Sequence, residues 1–185
     1  MISQEESSKK LCGFLTLQFV SFILVIVSFY FAIPAYSALP NTFPVHFDLS
    51  GTPNRWESKS WIGVLQLPLI QLGVFTLIAA VTFWSVYSPR SLAYLNLPQL
   101  DKTKALKLPD EKQKEIRLLG AGFTSMITLF TSLMFTIINY QLLRAETTGR
   151  ISSMVWIIIV VVIGLLGSII SVRKLTTEVK RISGE

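Results

Sequence analysis

Charge is scarce in this chain of 185 residues: 17 Lys and Arg with 11 Asp and Glu make up 15%, against 51% hydrophobic side chains. So little polar surface cannot cover a soluble domain of this size, which excludes a water-soluble monomer. The scarcity is also local, because no Asp, Glu, Lys or Arg occurs in Leu11–Phe47, Ser60–Pro89, Leu118–Leu143 or Ile151–Val172. Cysteine is rarer still. Cys12 alone cannot close an intramolecular disulfide, and at the inner end of the first apolar run it reads as a reduced, inert thiol that prefers burial. Basic residues bracket the apolar runs instead of interleaving with exposed aromatics, which argues against nucleic acid as a partner.

What the chain does have is length of apolar run. Leu11–Ile33 would be about 34 Å long as a helix, enough for a hydrocarbon core of about 30 Å. The run is also too long for the usual apolar core of a cleaved signal peptide. Spans are expected at about 11–33, 61–87, 118–142 and 151–172, giving an all-α membrane protein: a four-transmembrane-helix bundle in a single integral domain, 1–185. Pro34, Pro40, Pro44 and Pro53 predict a helix-free connection over 34–60. Pro68 should kink the second span, with Gln66 and Gln71 serving the freed carbonyls. Pro109-Asp-Glu predicts a helix start that runs into the third span, out of a basic connection over 88–117. Only the residues around Gly149 separate spans three and four, so those should form an antiparallel hairpin.

Orientation follows from the cations. Lys9, Lys10, Arg90, Lys102, Lys104, Lys107, Lys112, Lys114, Arg117, Arg173, Lys174, Lys180 and Arg181 fall on one side, and only Arg55, Lys59, Arg144 and Arg150 on the other. Short basic loops stay in the cytoplasm, so both termini and the 88–117 connection should face inward and the proline-rich loop outward. Trp56, Trp61, Trp84, Tyr87, Tyr140 and Trp156 sit where interfacial belts require them.

Small and hydroxyl residues mark expected helix contacts. Thr124, Thr128, Thr131, Ser132 and Asn139 make a polar stripe on the third span, and Gly164, Gly167, Ser168 and Ser171 a small-residue face on the fourth. Hydroxyls bonded to the carbonyl four residues back account for most of this pattern. The Gly164 face either meets the third span or pairs with a second copy as a homodimer. No span carries a central ionisable group, which argues against a pump. A small transporter or permease subunit using the hydroxyl stripe and Gln66 and Gln71 is the alternative from another class.

The string from Leu39 to Lys59 is the one stretch with a signature. Leu39-Pro40, then Pro44, His46 and Phe47, then Gly51, Pro53 and Lys59, resembles the pattern of the bacterial membrane domain of unknown function 1648, found also in SdpI-like toxin-immunity proteins. Asn54 stands where that pattern has an Asp, and a second membrane domain carried by the immunity proteins has no counterpart. The resemblance implies a bacterial inner (cytoplasmic) membrane protein, and signature residues concentrated outside spans that lack catalytic or ion-carrying groups point to a binding or regulatory type. Its outer loop would serve peptide-toxin immunity or envelope signalling, with an extracytoplasmic peptide or lipid as ligand beside the bilayer itself.

Physically this loop should be compact. Val45, Phe47 and Leu49 alternate with His46 and Asp48, Ser50-Gly51 supplies a turn, and Trp56 anchors the return at the headgroups. His46 is expected to bond loop carbonyls and Asp48, and Lys59 to pair with Glu57 or a lipid phosphate. A metal at His46, Asp48 and Glu57, or acid-base catalysis at His46, would need the loop to fold back on itself. No enzyme activity, cofactor or metal is therefore expected.

Overall fold

The computed structural model describes residues 4–48, 50–95, 101–148 and 155–183. Helix α1 (Gln4–Ala38) leads into a β-hairpin of β1 (Thr42–Phe47) and β2 (Pro53–Ser58), then α2 (Trp61–Tyr87). A 3-10 turn (Pro89–Ala93), the short α3 (Lys102–Ala105), α4 (Asp110–Thr148) and α5 (Val155–Ser183) follow. Four of these helices are long and apolar enough to cross a membrane: Glu5–Ala38, Trp61–Tyr87, Asp110–Ala145 and Ile158–Ile182.

Helix ends follow local chemistry. Ser60 Oγ accepts from Gly63 N at 3.1 Å at the start of α2, and Asp101 caps α3 by accepting from Thr103 N and Lys104 N. Asp110 and Glu111 occupy the first turn of α4, where the dipole favours acids, and the helix runs unbroken into the third apolar stretch. The break expected at Pro34 falls four residues later. That proline sits inside α1, which closes with Leu39 N donating to Ala35 O at 3.1 Å. The lost donor and ring clash act on the Tyr30 carbonyl one turn back, and the helix continues for one more turn past them. Helix α5 also outruns the charge-free stretch, reaching Ser183. The tight connection around Gly149 lies outside the described residues.

Helical periodicity sorts the side chains. On α1 the buried positions are Phe14, Gln18, Ser21, Val25, Ser28 and Ala32, a repeat near 3.5 residues. Cys12 lies about 200° around the helix from Phe14 and is exposed, correcting the burial expected for it. On α4 the buried face runs through Ala121, Ser125, Thr128, Ser132, Thr136 and Asn139, while Thr124 and Thr131 are half-buried at its margins. On α5, Gly164, Gly167, Ser168 and Ser171 are the half-buried face among exposed Leu and Ile, and Ser168 donates back to Gly164 O at 2.7 Å.

The chain forms two compact units. In the unit made of 1–20, 76–129 and 164–185, Phe14, Val86, Leu118 and Ala121 form one apolar cluster and Leu92, Ile116 and Ile182 another. Gln18 Nε2 donates to Ser125 Oγ at 3.0 Å there, and the Thr82 and Thr124 hydroxyls meet at 3.0 Å. The unit made of 21–75 and 130–163 holds the hairpin.

Candidate functional site

The hairpin is mounted from below and tied at both ends. Phe43 is completely buried with Ala32, Leu39, Val64 and Leu143, so one aromatic side chain pins β1 against segments of α1, α2 and α4. Gly63 makes room for it: a Cβ there would lie 3.1 Å from Phe43 Cζ. Pro44 is buried beside it. Val45 and Phe47 are half-buried while His46 and Asp48 are exposed, as strand alternation requires, and Leu49 lies outside the described residues.

Pairing runs Thr42 with Ser58, Phe43 with Glu57, Pro44 with Trp56, His46 with Arg55 and Phe47 with Pro53. Val45 and Asn54 fall outside this register, as residues at bulges do. Both strands of this two-stranded sheet are edges, where the missing N–H of Pro44 and Pro53 is tolerated.

Asp48 organises the turn. Its Oδ1 accepts from Ser50 N at 2.8 Å, Ser50 Oγ at 2.6 Å and Thr52 N at 2.9 Å, while Gly51 N donates to Asp48 O at 3.0 Å. Gly51 has φ of 79°, a left-handed conformation that glycine adopts without a Cβ clash. The Ser50 hydroxyl first, and the turn amides with it, hold the Asp48 carboxyl below the usual carboxylate range.

At the base, Lys59 Nζ donates to Leu39 O at 2.9 Å, and Lys59 N donates to Asn41 O at 2.8 Å. The ammonium thereby meets a terminal carbonyl of α1, where the helix dipole favours a cation. It also lies 4.8 Å from the centre of the Tyr36 ring, which stacks on Trp61 with centroids 3.8 Å apart and planes 5° apart. Lys59 thus does not pair with Glu57. Glu57 is taken by Arg55, its neighbour two positions away on the same face of β2.

His46 Nδ1 faces Asn54 Oδ1 across the hairpin, not Asp48, whose oxygen is engaged by the turn. The fold-back that a site of His46, Asp48 and Glu57 would require does not occur, because each is held by a different partner. Among the described residues no group of three His, Cys, Asp or Glu side chains gathers. Of the signature positions, Pro40 is exposed between α1 and β1, whereas Pro44, Phe47, Gly51, Pro53 and Lys59 shape the hairpin and its mount.

Below the hairpin lies a neutral polar network. The Ser28 hydroxyl donates to Gln71 Oε1 at 2.6 Å, and Gln71 Nε2 donates to Ser132 O and to the Thr136 hydroxyl, each at 3.1 Å. Asn139 Nδ2 donates to Ser28 O at 3.0 Å. Gln71 therefore links three helices and does not serve the carbonyls freed by Pro68, and Gln66 is exposed. Thr128 donates to Thr124 O at 2.8 Å, within its own helix. Sequence reasoning missed Phe43, Ser28 and Thr136. Phe43 was signalled by its place two and four residues before Val45 and Phe47, and Ser28 by its seven-residue spacing from Ser21.

Long apolar helices carrying a small hairpin between the first two define a multi-pass membrane protein. The family model described as Domain of unknown function (DUF1648) matches residues 23–72, so the chain carries that domain from the middle of α1, through the hairpin, to Leu72 of α2. The matched stretch contains both the Lys59 tie and the Ser28–Gln71 bond. No curated protein and no solved structure matches the chain.

Proposed function

We propose that the protein is a binding component of a bacterial inner membrane, both termini cytoplasmic, whose hairpin receives an extracytoplasmic peptide. The observation that carries this reading is the contrast between the two strands. β1 is pinned by buried Phe43 and Pro44, whereas β2 exposes Asn54, Arg55, Trp56, Glu57 and Ser58. With β1 pinned, its partner β2 has an exposed aromatic and an outer edge unpaired among the described residues, which suits strand addition by an extended peptide at little ordering cost on the protein side. The resemblance of the signature to that of SdpI-like proteins supports toxin immunity as the outcome of that binding.

The test is protection of cells against secreted toxic peptides. Cells producing the wild type should survive exposure that kills cells lacking the protein, and Arg55→Ala with Trp56→Ala should abolish protection at unchanged membrane abundance. Equal survival with and without the protein overturns the reading. Orientation is checked by Ser50→Cys in a Cys12→Ser background, which should react with a membrane-impermeant maleimide on intact cells.

A further inference from the structure

The unit made of 1–20, 76–129 and 164–185 contains a cleft of about 680 Å³, within the range of small-molecule sites. It lies where three charge-free runs end: Leu11 begins the first, Val86 falls just before the close of the second, and Leu118 begins the third. Part of the lining is therefore apolar. Lys114 and Arg117, one helical turn apart on the same side of α4 as Leu118, make another part basic. Such a cleft is amphiphilic by construction.

Its charges are unequally matched. The Glu115 carboxylate is buried and already held by Lys10 at 2.7 Å, with Arg181 at 3.8 Å, while Glu111 is exposed at the rim. Arg117 Nε is buried with no hydrogen-bond partner among the described residues, and Asp110 acts on it only through Coulomb attraction. Lys114 makes no ion pair among those residues either. A guanidinium donor removed from water and left unmatched is costly, and its planar fork fits a phosphate. Tyr87 completes the rim with a ring that belongs at headgroup level.

We propose that this cleft binds a phosphate carried on an apolar chain, the headgroup of an anionic phospholipid from the adjoining leaflet. Arg117 and Lys114 hold the phosphate, and Leu11, Val86 and Leu118 cover the glycerol and first methylenes. The shared chemistry with free phosphate is the anion, and the apolar part of the lining selects the lipid.

The test measures thermal unfolding of the full-length protein in non-ionic detergent with dioctanoyl phosphatidylglycerol, dioctanoylglycerol or inorganic phosphate. Phosphatidylglycerol should raise the melting temperature, and the other two should not at the same concentration. Lys114→Gln should weaken its apparent affinity roughly tenfold and Arg117→Gln at least as much, the scale of one charged hydrogen bond. Lys107→Gln, an exposed cation of the same connection, should leave it unchanged. If Lys114→Gln binds as wild type, or Lys107→Gln loses as much, the site is overturned. Because Lys114 is exposed, its variant decides the matter even where Arg117→Gln fails to fold. An equal effect of inorganic phosphate overturns the lipid assignment, and an equal effect of dioctanoylglycerol overturns the phosphate.

Discussion

Both compact units join buried amides and hydroxyls, but the described residues of one add a buried carboxylate to them. In the unit of 21–75 and 130–163, Ser28, Gln71, Thr136 and Asn139 are all neutral and bond one another or a carbonyl. In the other, a buried carboxylate, Glu115, is neutralised by Lys10 from α1 and approached by Arg181 from α5. The difference teaches where ionic tethers are tolerable. Glu115 stands just outside a charge-free run, at a depth where its cations still reach water, whereas Gln71 lies inside one, where an ionised group would be costly. Amides and hydroxyls do in the apolar stretch what ion pairs do at its edge.

The largest effect is expected from removing the plug. Phe43→Ala should cost about 3 kcal/mol through lost burial and the cavity left behind, read as faster hydrogen exchange over Thr42–Ser58. If the hairpin amides stay protected, the mount is not the Phe43 cluster. The next pair sharpens the contrast directly. Glu115→Gln should cost about 2 kcal/mol, since its partners are partly solvated, and high salt should shrink the difference from wild type. Gln71→Leu should cost about 1 kcal/mol, as bonds between helices in lipid are individually modest, and salt should not alter it. Denaturant titrations in mixed micelles at low and high salt measure both, and equal salt dependence would erase the distinction.

The smallest effect is on the turn. Because the folded Asp48 carboxyl titrates below its ordinary value, its contribution is fully present above about pH 4 and disappears as acid carries the pH down through the depressed value. The protection of the Ser50–Thr52 amides, taken relative to their intrinsic exchange rate at each pH, should therefore fall in acid for the wild type. It should already be low at neutral pH in Asp48→Ala and show no such dependence there.

The long elements were legible because their signal is one-dimensional. Trp61–Tyr87 can be read from its bounding charges alone, and Pro109-Asp-Glu marks the start of α4 through the orphan donors of its first turn. Alternation around His46 gave the exposed and covered sides of β1, and Ser50-Gly51 its turn. Partners were harder to read, because a pairing depends on register. Val45 and Asn54 drop out of step, which brings Asn54 to His46, and no spacing rule anticipates two irregularities on facing strands. Lys59 was misassigned for a related reason. Glu57 is its neighbour in sequence, but the carbonyl of Leu39, twenty residues back, becomes its neighbour once α1 ends where it does. Polar residues of α1 were overlooked because Gln18, Ser21 and Ser28 are diluted among aliphatic ones, whereas the threonines of α4 are conspicuous.

The clasp of Lys59 on Leu39 and Asn41 makes the segment between them a closed ring whose geometry is decided at its hinge and not at its crown. Residues near Asp48 and Thr52 can accordingly be exchanged or lengthened while the rods beneath keep their register. Change at the exposed crown is thereby separated from the packing that holds the ring in place.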